Sequence, residues 1–132
     1  MTSGSAATNT WKLGSRAAKV GFDWPDTGGL FDKLQEEIAE LHAELAHPIA
    51  SQSAASVEAE LGDLLFTAVN LARHLKVDPE SALRATNAKF RRRFAAMESA
   101  AGSSDALATS TPSQLEILWN QAKNATSEPP AP

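Results

Sequence analysis

The chain of 132 residues contains no cysteine. Disulfides, thiolate nucleophiles and cysteine-ligated metals are thereby excluded, and the absence fits a reducing, cytoplasmic setting. No apolar run is long enough to span a bilayer, so no membrane partner is expected. The opening stretch, MTSGSAATNT, has neither a basic start nor an apolar core, so no secretory leader is expected. An excess of basic charge is missing too. The formal charge is −4, which speaks against nucleic acid as a partner. The one basic run, KFRRRF, is short and interleaved with apolar positions. No GxxxxGK[ST] phosphate loop, internal repeat or convincing strand pattern occurs.

What the chain does have is helical patterning. Its hydrophobic fraction of 42% suffices for one compact domain of this length. Residues 1–10 read as a disordered N-terminal segment, 11–125 as the folded domain and 126–132 as a disordered tail. The expected fold class is all-α, an antiparallel bundle of four to five helices. A first helix over TWKLGSRAAKVGF is interrupted by Gly14 and Gly21, and DWPDTGG reads as a turn. A second helix spans about 30–47 and stops at Pro48. Its apolar residues Phe31, Leu34, Ile38, Leu41 and Leu45 alternate spacings of three and four, a stripe facing a partner helix. A third helix spans about 56–76. Asp78 and Pro79 look like the cap and first turn of a fourth, which runs to about Ala101 with Gly102 as its C-cap. SSDALATS reads as a linker. Thr111, Pro112 and Gln114 mark the start of a fifth helix ending near Asn124. Short connections between long helices argue for antiparallel neighbours.

Acidic residues form the main chemical pattern. In KLQEEIAEL, the carboxylates of Glu36, Glu37 and Glu40, with Glu44 beyond, fall on one side of the second helix, away from its apolar stripe. Alone, that is as well explained by a solvated face. The third helix, SVEAELGDLLFTAVNLARHLK, is apolar almost all round and is expected to be buried. Yet Glu60, Asp63, Thr67, Asn70 and His74 form one polar stripe along it. Buried carboxylates side by side are costly unless protonated or bound to a cation. An antiparallel hairpin centred near Ala50 places Glu40 level with Glu60 and Glu37 level with Asp63. Residues three apart share a face, so Glu37, Glu40, Glu60 and Asp63 can converge in one layer. Hard oxygen donors without cysteine or histidine suit Mg²⁺ or Mn²⁺ better than Zn²⁺. A di-iron bundle would need Glu-x-x-His pairs, which are missing here.

A carboxylate-held Mg²⁺ commonly shares its remaining positions with phosphates. Candidate phosphate partners are Lys89 and Arg93, four apart in the fourth helix, and Lys123, four residues after Trp119 in the fifth. Trp119 is equally readable as a base-stacking ring or as core, and the basic residues equally as solvated charge. Asn70 and Asn87 are polar candidates of the same grade.

The strings KLQEEIAEL, EAELGDLLFTAVNLARHL, RATNAKFRRRFAAME and LEILWNQAK resemble the catalytic domain of MazG-type nucleoside triphosphate pyrophosphohydrolases. The resemblance begins near RAAKVGFDWPD and extends to about Lys123. The pattern E-E-x-x-E followed by E-x-x-D is shared across the all-α NTP pyrophosphatase superfamily, including dimeric dUTPases and phosphoribosyl-ATP pyrophosphohydrolases. The strings VGFDWPD, GDLLF, VNLARHL and KFRRRF favour MazG. The resemblance implies an all-α enzyme, a homodimer or homotetramer, that cleaves NTPs between the α and β phosphates with Mg²⁺, in nucleotide-pool housecleaning. It assigns Glu37, Glu40, Glu60 and Asp63 to metal, and Lys89, Arg93, Trp119 and Lys123 to substrate handling and activity. Glu36 matches the first acid of the motif, with a role in ordering the attacking water or a further metal. Many MazG proteins carry two such domains, and this chain has room for one. The alternatives are a related enzyme acting on dUTP or phosphoribosyl-ATP, and a non-catalytic helical oligomer that binds nucleotides.

Overall fold

A computed structural model describes residues 5–126. Among them, the regular structure is helical throughout: α1 (Ala6–Lys19), α2 (Thr27–Leu45), α3 (Ala54–Leu75), α4 (Pro79–Ala101), α5 (Ser104–Ala108) and α6 (Pro112–Thr126), with one 3₁₀ turn at Ile49–Ser51. The expected tail lies outside the described residues, apart from Thr126, which closes α6.

The helix starts follow local chemistry. Asp26 accepts from the Gly29 N–H at 3.0 Å and caps α2. Ser53 accepts from the Ser56 N–H at 3.2 Å and caps α3. Thr111 and Gln114 exchange reciprocal hydrogen bonds of 2.9 and 3.2 Å, a capping box that starts α6. Lys76 ends α3 in the left-handed region at φ 59°.

Two elements depart from expectation. First, α1 starts at Ala6, inside the segment read as disordered, because Ser5 caps it by accepting from the Thr8 N–H. Gly14 does not break this helix. It is buried, and a Cβ there would lie 2.1 Å from Asn70 Oδ1, so glycine is what lets α1 approach α3. Second, α5 occupies the stretch read as a linker, capped by Ser103 accepting from the Ala106 N–H at 3.0 Å. The chain forms two compact units, one up to Ala82 and one from Leu83. Among the described residues, the buried apolar side chains are few and divided: Leu30 in the first, and Met97, Leu107 and Ala122 in the second.

In the first unit, α2 and α3 pack along each other and α1 packs on α3. The hairpin is antiparallel, since Glu44 on α2 meets Ser53 at the start of α3 while Glu37 meets Asp63 further along. Its interior is partly polar. Glu37 of α2 and Thr67 and Asn70 of α3 are buried, whereas Phe31, Ile38, Leu45, Leu61 and Leu65 are exposed. Of the expected apolar stripe of α2, Leu34 and Leu41 are half-buried, whereas Phe31, Ile38 and Leu45 are exposed. Helix α3 is not buried all round.

Candidate functional site

The helical register brings the acidic residues of the hairpin together. Glu37, Glu60 and Asp63 each place a carboxylate oxygen within 4.8 Å of the others. Glu40 joins them through a hydrogen bond to Glu60. That bond first, and then the negative charge of Glu37, pushes the Glu40 pKa up to about 6. Sharing a proton is how two adjacent carboxylates avoid mutual repulsion when no cation is at hand.

Glu37 is the most enclosed of the four, with its side chain 4% exposed. Its Oε1 lies 3.0 Å from Lys33 Nζ, while Oε2 is buried with no hydrogen-bond partner. Glu60 Oε2 is in the same position. Unpartnered buried carboxylate oxygens are costly. Together with the all-oxygen donor set they fit a hard divalent cation. Lys33 offsets part of the negative charge, and its own pKa is raised, chiefly by the hydrogen bond to Glu37. Sequence reasoning passed over this lysine, although its spacing of four before Glu37 was a legible signal. Glu36 is exposed, with Lys33 Nζ at 3.5 Å. Glu44 is no free surface charge, since it accepts from the Ser53 N–H at 3.3 Å.

Asn70 lies seven residues beyond Asp63 on the same face of α3, about 10 Å along the axis. It is fully buried, donates to the Phe66 carbonyl at 3.0 Å and accepts from Arg73 Nε at 3.1 Å. Arg73 in turn grips Asp23 with two hydrogen bonds, of 2.6 and 3.1 Å. His74 Nε2 sits 3.0 Å from the same carboxylate. The Arg73 guanidinium, above all, holds the Asp23 carboxyl well below the usual carboxylate range.

The remaining candidates belong to the second unit. Lys89 and Arg93 line a cavity of about 490 Å³ with Arg92 and Thr126. The Arg93 guanidinium lies 5.6 Å from the centroid of the Trp119 ring, and its Nε is buried without a partner. Trp119 also packs on Phe90 at 5.6 Å and borders the core of Met97, Leu107 and Ala122. Asn87 and Lys123 are exposed.

Among the described residues, then, the fold is all-helical, with clustered oxygen donors on a two-helix hairpin. More narrowly, residues 30–96 match the MazG nucleotide pyrophosphohydrolase domain, and the chain belongs to that family. It is 42% identical over 113 residues to the nucleoside triphosphate pyrophosphohydrolase of Escherichia coli strain K12, an alignment covering 85% of this chain and 42% of that protein. It is 39% identical over 113 residues to the nucleoside triphosphate pyrophosphohydrolase/pyrophosphatase MazG of Thermotoga maritima, again over 85% of this chain and 42% of that protein. The chain thus spans less than half the length of these relatives.

Proposed function

We propose that this chain hydrolyses nucleoside triphosphates between the α and β phosphates, releasing a nucleoside monophosphate and pyrophosphate, with Mg²⁺ as cofactor and Mn²⁺ as a substitute. The observation that carries this reading is the buried, unpartnered Oε2 of Glu37 in a cluster with Glu60 and Asp63. Glu37, Glu40, Glu60 and Asp63 are the residues that would hold the cation. When bound, such an ion supplies Lewis acidity toward a phosphoryl oxygen and a water of lowered pKa.

The chain's own groups divide the remaining work. Lys33 holds Glu37 in place through the 3.0 Å ion pair. Glu36 accepts a proton from, or orients, the attacking water. Lys89, Arg93 and Lys123 stabilise charge on the phosphates. Trp119 serves the substrate by holding Arg93 over its ring. Asn70 and Asn87 supply polar contacts to the sugar and base end. The pathway that fits is clearance of unwanted nucleotides in the cytoplasm, and among the described residues no helix is long and apolar enough to cross a membrane.

Exposed Phe31, Ile38 and Leu45 on α2, with Leu61 and Leu65 on α3, support a homodimer or homotetramer that covers these faces. Leu65→Lys is expected to lower the solution mass measured by light scattering.

The test of activity is release of pyrophosphate from a panel of NTPs and dNTPs with Mg²⁺, including dUTP and phosphoribosyl-ATP. Glu40→Gln and Asp63→Asn are expected to reduce turnover by on the order of 100-fold or more. Full activity in either variant removes the carboxylate layer from the mechanism.

A further inference from the structure

We propose that Lys33 sets cation selectivity in the acidic cluster: by occupying one carboxylate oxygen of Glu37, it leaves that residue a single donor atom and biases the cluster toward Mg²⁺ and against Ca²⁺. The proposal rests on the reading that Glu37, Glu60 and Asp63 hold the cation. It adds a positioning residue that is no ligand itself.

The two oxygens of Glu37 are not equivalent. Oε1 lies 3.0 Å from Lys33 Nζ, whereas Oε2 is buried and has no hydrogen-bond partner. The side chain as a whole is buried, so solvent offers little to either oxygen. Glu37 therefore has one committed oxygen and one available oxygen. It contributes one oxygen to the group that converges with Glu60 and Asp63 within 4.8 Å.

The helix fixes Lys33 in this role. The lysine stands one turn before Glu36 and Glu37, at spacings of three and four. Its ammonium bridges Glu36 Oε2 at 3.5 Å and Glu37 Oε1 at 3.0 Å. Ordinary exposed pairs at this spacing are worth little and open readily. This one differs because its acid is buried. Withdrawing the ammonium would leave both Glu37 oxygens without a partner, an arrangement that buried carboxylates avoid.

Donor count separates the two cations. Ca²⁺ takes about six to eight oxygens and readily draws on carboxylates that give both oxygens at once, whereas Mg²⁺ keeps to octahedral geometry and completes it with water. An ion pair that withholds one oxygen is therefore a greater handicap for Ca²⁺. The positive charge of Lys33 acts separately. It weakens the attraction of either divalent cation to a similar degree, so it cancels in the ratio of the two dissociation constants. That ratio isolates the effect of the occupied oxygen.

The experiment titrates Mg²⁺ and Ca²⁺ separately by calorimetry into the full chain, without nucleotide and at one mildly alkaline pH. Wild type is compared with Lys33→Met and Lys33→Leu, which remove the ammonium and keep a good helix former. Circular dichroism establishes that the variants are folded. The ratio of the Ca²⁺ Kd to the Mg²⁺ Kd is expected to fall by about tenfold or more in both variants. A merely structural role for Lys33 would lower the thermal midpoint of the cation-free variants and shift both affinities together, leaving the ratio unmoved. An unmoved ratio in a folded variant that still binds Mg²⁺ overturns the proposal and leaves the hydrolase reading intact. A wild-type chain that binds Ca²⁺ more tightly than Mg²⁺ overturns it as well, whatever the variants do. If the wild-type chain binds neither cation, the cation reading itself fails and takes the proposal with it.

Discussion

Glu40 on α2 and Glu60 on α3 share a hydrogen bond across the hairpin, and Glu40 loses its proton only near pH 6. Cation binding must therefore displace a proton at mildly acidic pH. Mg²⁺ affinity is expected to rise as pH increases through about 6 and to level off above it. Calorimetry in buffers of different ionisation heat will register proton release at pH 5.5 and little at pH 8. Equal release at both would dissociate Glu40 from the cation.

The same cluster sets opposite signs for two stability measurements. Without cation, Asp63→Asn relieves like-charge repulsion, so the midpoint of thermal unfolding should hold or rise slightly. With Mg²⁺ at about 100 times its Kd, the wild-type chain gains about 2.7 kcal/mol by mass action. The variant should lose that gain. A wild-type midpoint indifferent to Mg²⁺ would count against a bound ion.

Asp23 predicts the shape of the acid limb. Its folded pKa lies below the ordinary 3.8, so in the folded state it binds fewer protons than in the unfolded state. The stabilisation it provides is complete above the unfolded value and is lost as pH falls toward and through the folded one. Asp23→Asn should cost about 1–3 kcal/mol at pH 7 and flatten the loss of stability below about pH 4. Urea unfolding at a series of pH values reads both effects.

Two helical glycines should respond to alanine with opposite signs. At Gly14 the new Cβ would meet Asn70 Oδ1 at 2.1 Å and Arg73 Nε at 2.8 Å. Gly14→Ala is expected to destabilise by about 1–3 kcal/mol. At Gly62 nothing lies within 4 Å of the added carbon. Gly62→Ala should stabilise by about 0.5–1 kcal/mol through helix propensity and a less flexible unfolded chain. Paired denaturant titrations compare them directly.

Local signals explain what was legible beforehand. Thr111 with Gln114 marked α6, and the spacing of acids in α2 and α3 contained the register that brings Glu37, Glu40, Glu60 and Asp63 together. The symmetry about Ala50 worked because both helices keep the same rise per residue, so equal offsets meet. Which face turns inward was not legible. Periodicity groups Ile38 with Leu45 and Glu37 with Glu44, but it does not say which group a neighbour covers. Apolar residues are expected inside by default, yet the hairpin buries Glu37, Thr67 and Asn70 while Ile38 and Leu45 stay exposed. The clamp between Asp23 and Arg73 was beyond reach for another reason. Its partners are fifty residues apart, and no local pattern links them. The short α5 had its Ser103 cap in plain view, but five residues give too little periodicity to separate a helix from a linker.

The loop between α2 and α3 is closed at its ends by side chains. Gln52 Nε2 donates to the carbonyls of Leu45 and His47 at 3.1 and 2.8 Å, and Glu44 receives the Ser53 N–H. The residues between, from Pro48 to Ser51, are exposed and carry none of the pairing between helices. Residues inserted there would leave the acids meeting at the same level. A single residue inserted between Glu37 and Glu40 is a far larger disturbance, since it swings one of them by about 100°. Evolution can therefore vary the length of this connection freely while the spacing inside each helix stays locked.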